Sequence, residues 1–135
     1  MPTINEVCDD LAAVVSTISG LRALGYADDQ INPPQAHVFT RDFDPRMTMG
    51  GSASRPVPLG VRVFVRAVDP RSAQKALRAY MEQSGATSIR AAIENDTLWS
   101  ETVHYAEVTN IGQLFLYEAP GETFHAVDFD VDVIW

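Results

Sequence analysis

One stretch constrains the fold more than any other. Between residues 57 and 68, Val57, Leu59, Val61, Val63, Val65 and Ala67 alternate with Arg62, Phe64 and Arg66. A two-residue period sends successive side chains to opposite faces of an extended chain, so this is a β-strand with one wholly apolar face. Its length matters. The twelve positions, at roughly 3.3 Å each, span roughly 40 Å. A compact domain of 135 residues has a diameter of roughly 37 Å. Residues 35–43 also read as strand, and the segment between holds Pro45, Gly50 and Gly51 with Ser52, Ala53 and Ser54. Gly50-Gly51 is the natural turning point, because glycine accepts positive φ freely. The expectation is a long projecting β-hairpin. An arm that buries little in its own domain is there to touch another molecule. Its tip makes Arg46, Met47, Met49, Gly50, Gly51 and Arg55 the candidate interaction residues. Methionine repacks readily and arginine makes adaptable polar contacts.

The flanking sequence supplies the layers. Ile4, Val7, Cys8, Leu11, Val14, Val15 and Ile18 recur at three- and four-residue steps, which predicts a helix over 4–18. Thr3 and Glu6 have capping-box spacing, and Gly20 is placed to end the helix. A brief strand follows at 21–26, a turn at 27–30, and Asn32-Pro33-Pro34 is extended. Asp69-Pro70 is a helix start, an N-cap aspartate followed by proline at the first helical position. Ala73, Ala76, Leu77, Tyr80 and Met81 form that helix's apolar face, and Ser84-Gly85 closes it. A shorter helix at 88–95 turns Ile89, Ala92 and Ile93 inward, and a loop over 96–101 carries Trp99. Strands follow at 103–109, 112–117 and 123–134, the last two joined by Ala119-Pro120-Gly121. In the last strand Val127, Phe129, Val131, Val133 and Trp135 share one face, and Asp128, Asp130 and Asp132 the other. The order helix, strands, two helices, three strands predicts an α+β fold over 1–135 as a single domain. It has a mixed or antiparallel β-sheet packed by helices.

Charge narrows the function. Ten Lys and Arg against eighteen Asp and Glu give a formal −8. A protein living on nucleic-acid backbones needs a basic footprint, and this balance argues against one, as it does against adsorption to anionic lipid. No apolar run reaches the roughly 18 residues of a membrane helix, and the N-terminus lacks the pattern of a secretory signal. The single cysteine, Cys8, cannot form an internal disulfide. It reads as a small buried hydrophobe in a chain made in a reducing compartment.

No catalytic motif stands out. His37, His104 and His125 lie on expected strands, far apart in sequence. A histidine site requires them to converge with carboxylates. Asp128, Asp130 and Asp132 resemble the start of a calcium loop, but Val133 occupies the position that needs glycine. They read as a solvated face, or as an edge kept from wrong pairing. The expectation is a protein that is no enzyme, with no catalytic residue, cofactor or metal.

Three segments carry a resemblance. The first is the opening amphipathic helix into Ile18-Ser19-Gly20-Leu21-Arg22, then Ile31-Asn32-Pro33-Pro34. The second is the long strand from Val61 to Val68 into Asp69-Pro70-Arg71-Ser72-Ala73-Gln74-Lys75-Ala76-Leu77. The third is Ser84-Gly85-Ala86-Thr87-Ser88-Ile89-Arg90-Ala91-Ala92-Ile93-Glu94, followed by the closing strands. In order and character the chain resembles the tail terminator proteins of long-tailed (siphovirus-type) bacteriophages, in the subset common among phages of actinobacteria. The stretch from Pro45 to Met49 is less typical of that family. The resemblance implies a structural virion protein made in the host cytoplasm and placed at the head-proximal end of the tail. It implies a hexameric ring of identical copies that caps the tail tube protein and stops its polymerisation. The ring then offers a joining surface to the neck or head-completion protein. DNA passes through the bore without specific binding. Six copies at −8 each carry a formal −48, and a like-charged wall does not trap DNA. Two alternatives stand beside this reading. One is another head–tail connector or neck protein. The other is a small ligand-binding or enzymatic α+β domain, which requires a pocket where His37, His104 and His125 meet acids.

Overall fold

The computed structural model describes residues 4–26, 31–41, 57–66, 69–95, 99 and 105–134. Its elements run α1 (Ile4–Val15), β1 (Arg22–Leu24), β2 (Gln35–Thr40), β3 (Val57–Arg66), α2 (Pro70–Tyr80), α3 (Ile89–Ile93), β4 (Tyr105–Ile111), β5 (Phe115–Ala119) and β6 (Glu122–Ile134). They build an α+β fold with one six-stranded mixed sheet, in the order β1-β2-β3-β6-β4 with β5 also paired to β6. The β1–β2 pair is parallel and the others antiparallel.

The two longest strands, β3 and β6, form the middle of the sheet and pair from Val57↔Val133 to Arg66↔Phe124. Their apolar residues alternate in step, so Leu59, Val61, Val63, Val127, Phe129, Val131 and Val133 form one continuous floor, each 0% exposed. All three helices sit on that floor. α1 contributes Val7, Leu11, Val14 and Val15, α2 contributes Ala73 and Leu77, and α3 contributes Ile89 and Ile93 to the same core. The helix signals act as expected. Asp69 accepts from the Arg71 amide, with Pro70 behind it, and Ser88 accepts from the Ala91 amide. Gly85, in the left-handed region at φ 106°, lies in the loop that follows α2.

Several boundaries differ from the sequence reading. The regular part of α1 stops at Val15, three residues early, because Thr17 and Ile18 donate to Val14 and Val15 in a tightened last turn. The Thr17 hydroxyl also donates to the Val14 carbonyl at 2.6 Å, the backbone competition that threonine brings. Ile18 stays in the core at 3% exposure. β5 begins three residues later than the pattern indicates. Between β4 and β5 the Gly112 amide donates to the Asp128 carbonyl at 2.8 Å, which bends the chain before β5 starts. β6 is long enough to pair with both, meeting β5 along its first half and β4 along its second.

β2 and β3 pair antiparallel from Gln35↔Phe64 to Thr40↔Leu59, as a hairpin requires. All ten residues of β3 pair with β6, and Leu59 to Phe64 pair with β2 as well. The overshoot argued from strand length therefore rests on residues 42–56, which lie outside the described residues.

Candidate functional site

The second face of the sheet carries no described helix, and the pleat decides what occupies it. It receives Phe39, Arg41, Gly60, Arg62, Phe64, Phe115, Tyr117, Phe124 and Ala126 together with Asp128, Asp130 and Asp132. Sequence reasoning placed the aspartates on this face correctly but not their setting. β6 is an interior strand, so they do not guard an edge. Nor are they simply solvated. Arg62 faces Asp128 across the β3–β6 ladder and grips it with two parallel bonds, Nε to Oδ1 at 2.7 Å and Nη2 to Oδ2 at 3.0 Å. This bidentate form is the strongest arginine–carboxylate geometry. Arg41, one residue past β2, donates through Nε to the Leu59 carbonyl at 2.7 Å and through Nη2 to Asp132 Oδ1 at 2.8 Å. Its Nε lies 3.8 Å from Asp130.

Aromatic rings close around the first of these arginines. The Arg62 guanidinium carbon is 5.3 Å from the Phe39 ring centre, 5.3 Å from Phe115 and 5.7 Å from Tyr117, all within cation–π reach. The hydrogen bonds it donates to Asp128 hold the guanidinium above its ordinary pKa against the opposing effect of burial. Beyond it Phe64 packs edge-on against Tyr117 at 5.0 Å and Phe124 at 6.1 Å. Phe64, Phe124 and Ala126 thus make a second small core, with Ile31, Phe115, Tyr117 and Ala119 against it. Phe39 reaches across its register partner Gly60, where any Cβ would collide with the ring. The sequence carried a signal for this arrangement: an Arg and a Phe on the polar face of β3, and a lone Gly in a valine-rich strand.

At the far end of the face Tyr105 donates to Glu107 Oε2 at 2.7 Å. That bond, first among the causes, raises the Tyr105 pKa above its ordinary value. Glu107 stands opposite Asp132 in the β4–β6 ladder. The face therefore presents alternating charge, with Arg41 and Arg62 each spent on a carboxylate. It is chemically a braced platform, stiff and amphipathic.

The remaining candidates separate. His37 faces the platform side, its ring 4.9 Å from Phe64. His125 pairs with Val65 in register and so faces the helix side. These two histidines are on opposite faces of the sheet, and His104 lies outside the described residues. Among the described residues no three His, Cys, Asp or Glu side chains gather to hold a metal ion. Arg46, Met47, Met49, Gly50, Gly51 and Arg55 all lie outside the described residues. Cys8 is buried on the core face of α1 at 6% exposure, and burial pushes its thiol pKa up. Trp99, read only as a loop residue, anchors against the core, with its Nε1 donating to the Ile93 carbonyl at 2.7 Å. No helix among the described residues is long and apolar enough to cross a membrane.

Among the described residues, grooves open on the helix side. One, of about 320 Å³, lies between α2 and the Pro33–Pro34 corner, walled by Val65, Ala73, Ala76 and Tyr80. Another, of about 200 Å³, is lined by Ile18, Gly85, Ser88 and Asn95. No histidine lines either groove. Comparison with protein-family models gives no match, and neither does comparison with curated proteins.

Proposed function

We propose that this chain is a structural part of a long-tailed phage virion, the terminator that caps the tail tube. Copies assemble as a ring, a hexamer by the family resemblance, on the last ring of tube protein. One surface of the ring copies what a tube subunit offers. The other does not, so addition stops there and a neck or head-completion protein meets it instead. The contact between copies is heterologous and closes on itself, which is the geometry that makes a ring and not a filament. DNA crosses the bore without specific binding.

The observation that carries this reading is the one-sided architecture. Three helices cover one face of the sheet. The opposite face is braced by ion pairs and rings instead of by a second helix layer among the described residues. A face stiffened in this way holds its shape without a covering layer and suits a subunit that meets partners. The formal charge of −8 supports a conduit wall that does not bind DNA.

The test combines mass and place. Light scattering of the purified chain, with and without its tube protein, is expected to give a ring bound at tube ends. Deleting residues 46–54 is expected to leave a folded protein that fails to join tails. A chain that stays monomeric and never binds tube ends overturns the proposal, and a chain found only on heads makes it a head-completion protein.

A further inference from the structure

Along the helix layer the charge changes sign. α1 lies over β1 and β2, and α2 lies over β3 and β6. α1 carries Glu6, Asp9 and Asp10 and no base. α2 carries Arg71, Lys75 and Arg78 and no acid. Positions 71, 75 and 78 are spaced by four and three, so they share one helix face, and all three are exposed. Arg66, exposed at the end of β3, lines the groove beside that helix and extends the patch. Arg41, Arg62 and Arg90 have carboxylate partners, whereas none of these four bases is ion-paired among the described residues. Residues 66–78 hold those four bases and one acid, Asp69, a net of +3 in a chain of −8, so the remainder carries −11. A basic island persists on the flank of an acidic protein.

We infer that the outward face of α2 docks the acidic face of α1 from a second copy of this chain. The inference rests on the ring reading above and names the contact by which neighbouring copies meet. Charge complementarity identifies the occupant. Arg71, Lys75 and Arg78 span about 10 Å of helix, enough to face Glu6 and Asp9, which lie on one exposed side of α1. Apolar features match as well. Ile4, 37% exposed at the start of α1, meets the groove of about 320 Å³ walled by Ala73, Ala76 and Tyr80. Because α1 and α2 lie over different strands, the contact uses two different patches. It repeats head to tail and closes into a ring. A phosphate backbone would also suit the bases, but a chain so acidic elsewhere repels one.

Charge reversal tests the contact. Lys75→Glu with Arg78→Glu makes both helices acidic, and Glu6→Lys with Asp9→Lys makes both basic. Circular dichroism first establishes that each variant is folded. Sedimentation of the full chain, alone and with tube protein, then reads assembly. Each variant alone is expected to associate about tenfold more weakly than the unaltered chain. An equimolar mixture is expected to recover assembly, with the two variants alternating around the ring. Added salt is expected to weaken the unaltered assembly as the charges are screened. Variants that assemble like the unaltered chain, or a mixture that does not recover, overturn the inference. So does an α2 variant that loses affinity for a short DNA duplex while its mass is unchanged, which makes the patch a nucleic-acid surface. Capping of tail tubes is scored separately. Rings that form through this contact but never cap tubes sink the terminator reading alone. Capping by an α2 variant with an intact ring sinks the contact alone.

Discussion

Gly60→Ala reverses the sign of its effect depending on whether Phe39 is present. Gly60 and Phe39 are register partners on β3 and β2. A Cβ at position 60 would overlap the Phe39 ring, with one ring carbon only 2.7 Å away, well inside van der Waals contact. Gly60 is not among the glycines at positive φ, so the backbone itself accepts alanine and the whole cost is steric. The ring must leave, and with it goes the cation–π contact to Arg62 at 5.3 Å. Overpacking of this kind costs about 1–3 kcal/mol. In a Phe39→Ala background the obstacle is gone. Alanine then stabilises by about 0.5–1 kcal/mol, because it has less unfolded-state entropy to lose. The two effects differ by about 3 kcal/mol. At about 2.1 cal/mol/K per residue, the unfolding entropy of a chain this size makes that about 10 °C in Tm. Thermal unfolding of the four proteins in the cycle measures it. Gly60→Ala lowering Tm equally in both backgrounds would refute the packing argument.

Other expectations follow from the same face and the helix starts. Asp128→Ala leaves the Arg62 guanidinium among three rings without its anion. It is expected to cost about 1–3 kcal/mol, and Arg62→Met with Asp128→Ala less than the sum of the single changes, by denaturant unfolding. Asp69 holds the α2 start, and its bonds to Ser72 and the Arg71 amide lower its carboxyl pKa. A lowered folded pKa gives stability that is present above the unfolded value, about 3.9, and is lost as pH falls through the folded one. Asp69→Ala is therefore expected to lower Tm at neutral pH, and the gap to the unaltered chain to close in acid. A gap that stays constant with pH would contradict the cap. Cys8 is buried with its thiol pKa raised. Native labelling by a thiol reagent is expected to be at least about a hundredfold slower than in denaturant. Rapid native labelling would mean that α1 detaches from the sheet.

What was legible in the sequence was whatever leaves a period. β3 and β6 alternate so regularly that their faces and the position of the acidic residues are readable. Asp69-Pro70 marks a helix start by chemistry that needs no tertiary context. What escaped depends on contacts between segments distant along the chain. Arg41 and Asp132 are 91 residues apart, and Arg62 and Asp128 are 66 apart. No local pattern ties them, so the aspartates looked like an unneutralised stripe. The start of β5 escaped for a similar reason, being set by a Gly112 bond to β6. The candidate contact residues between 46 and 55 stand out by composition alone, and they lie outside the described residues.

Under the proposed function this chain closes the tail tube at one end, and immunogold labelling of tails produced without heads, viewed by electron microscopy, decides whether it does. A single label at one tip of each tail, and tubes of uniform length only when the chain is present, is the expected result. Label along the shaft, or none, with tube length indifferent to the chain, would contradict it.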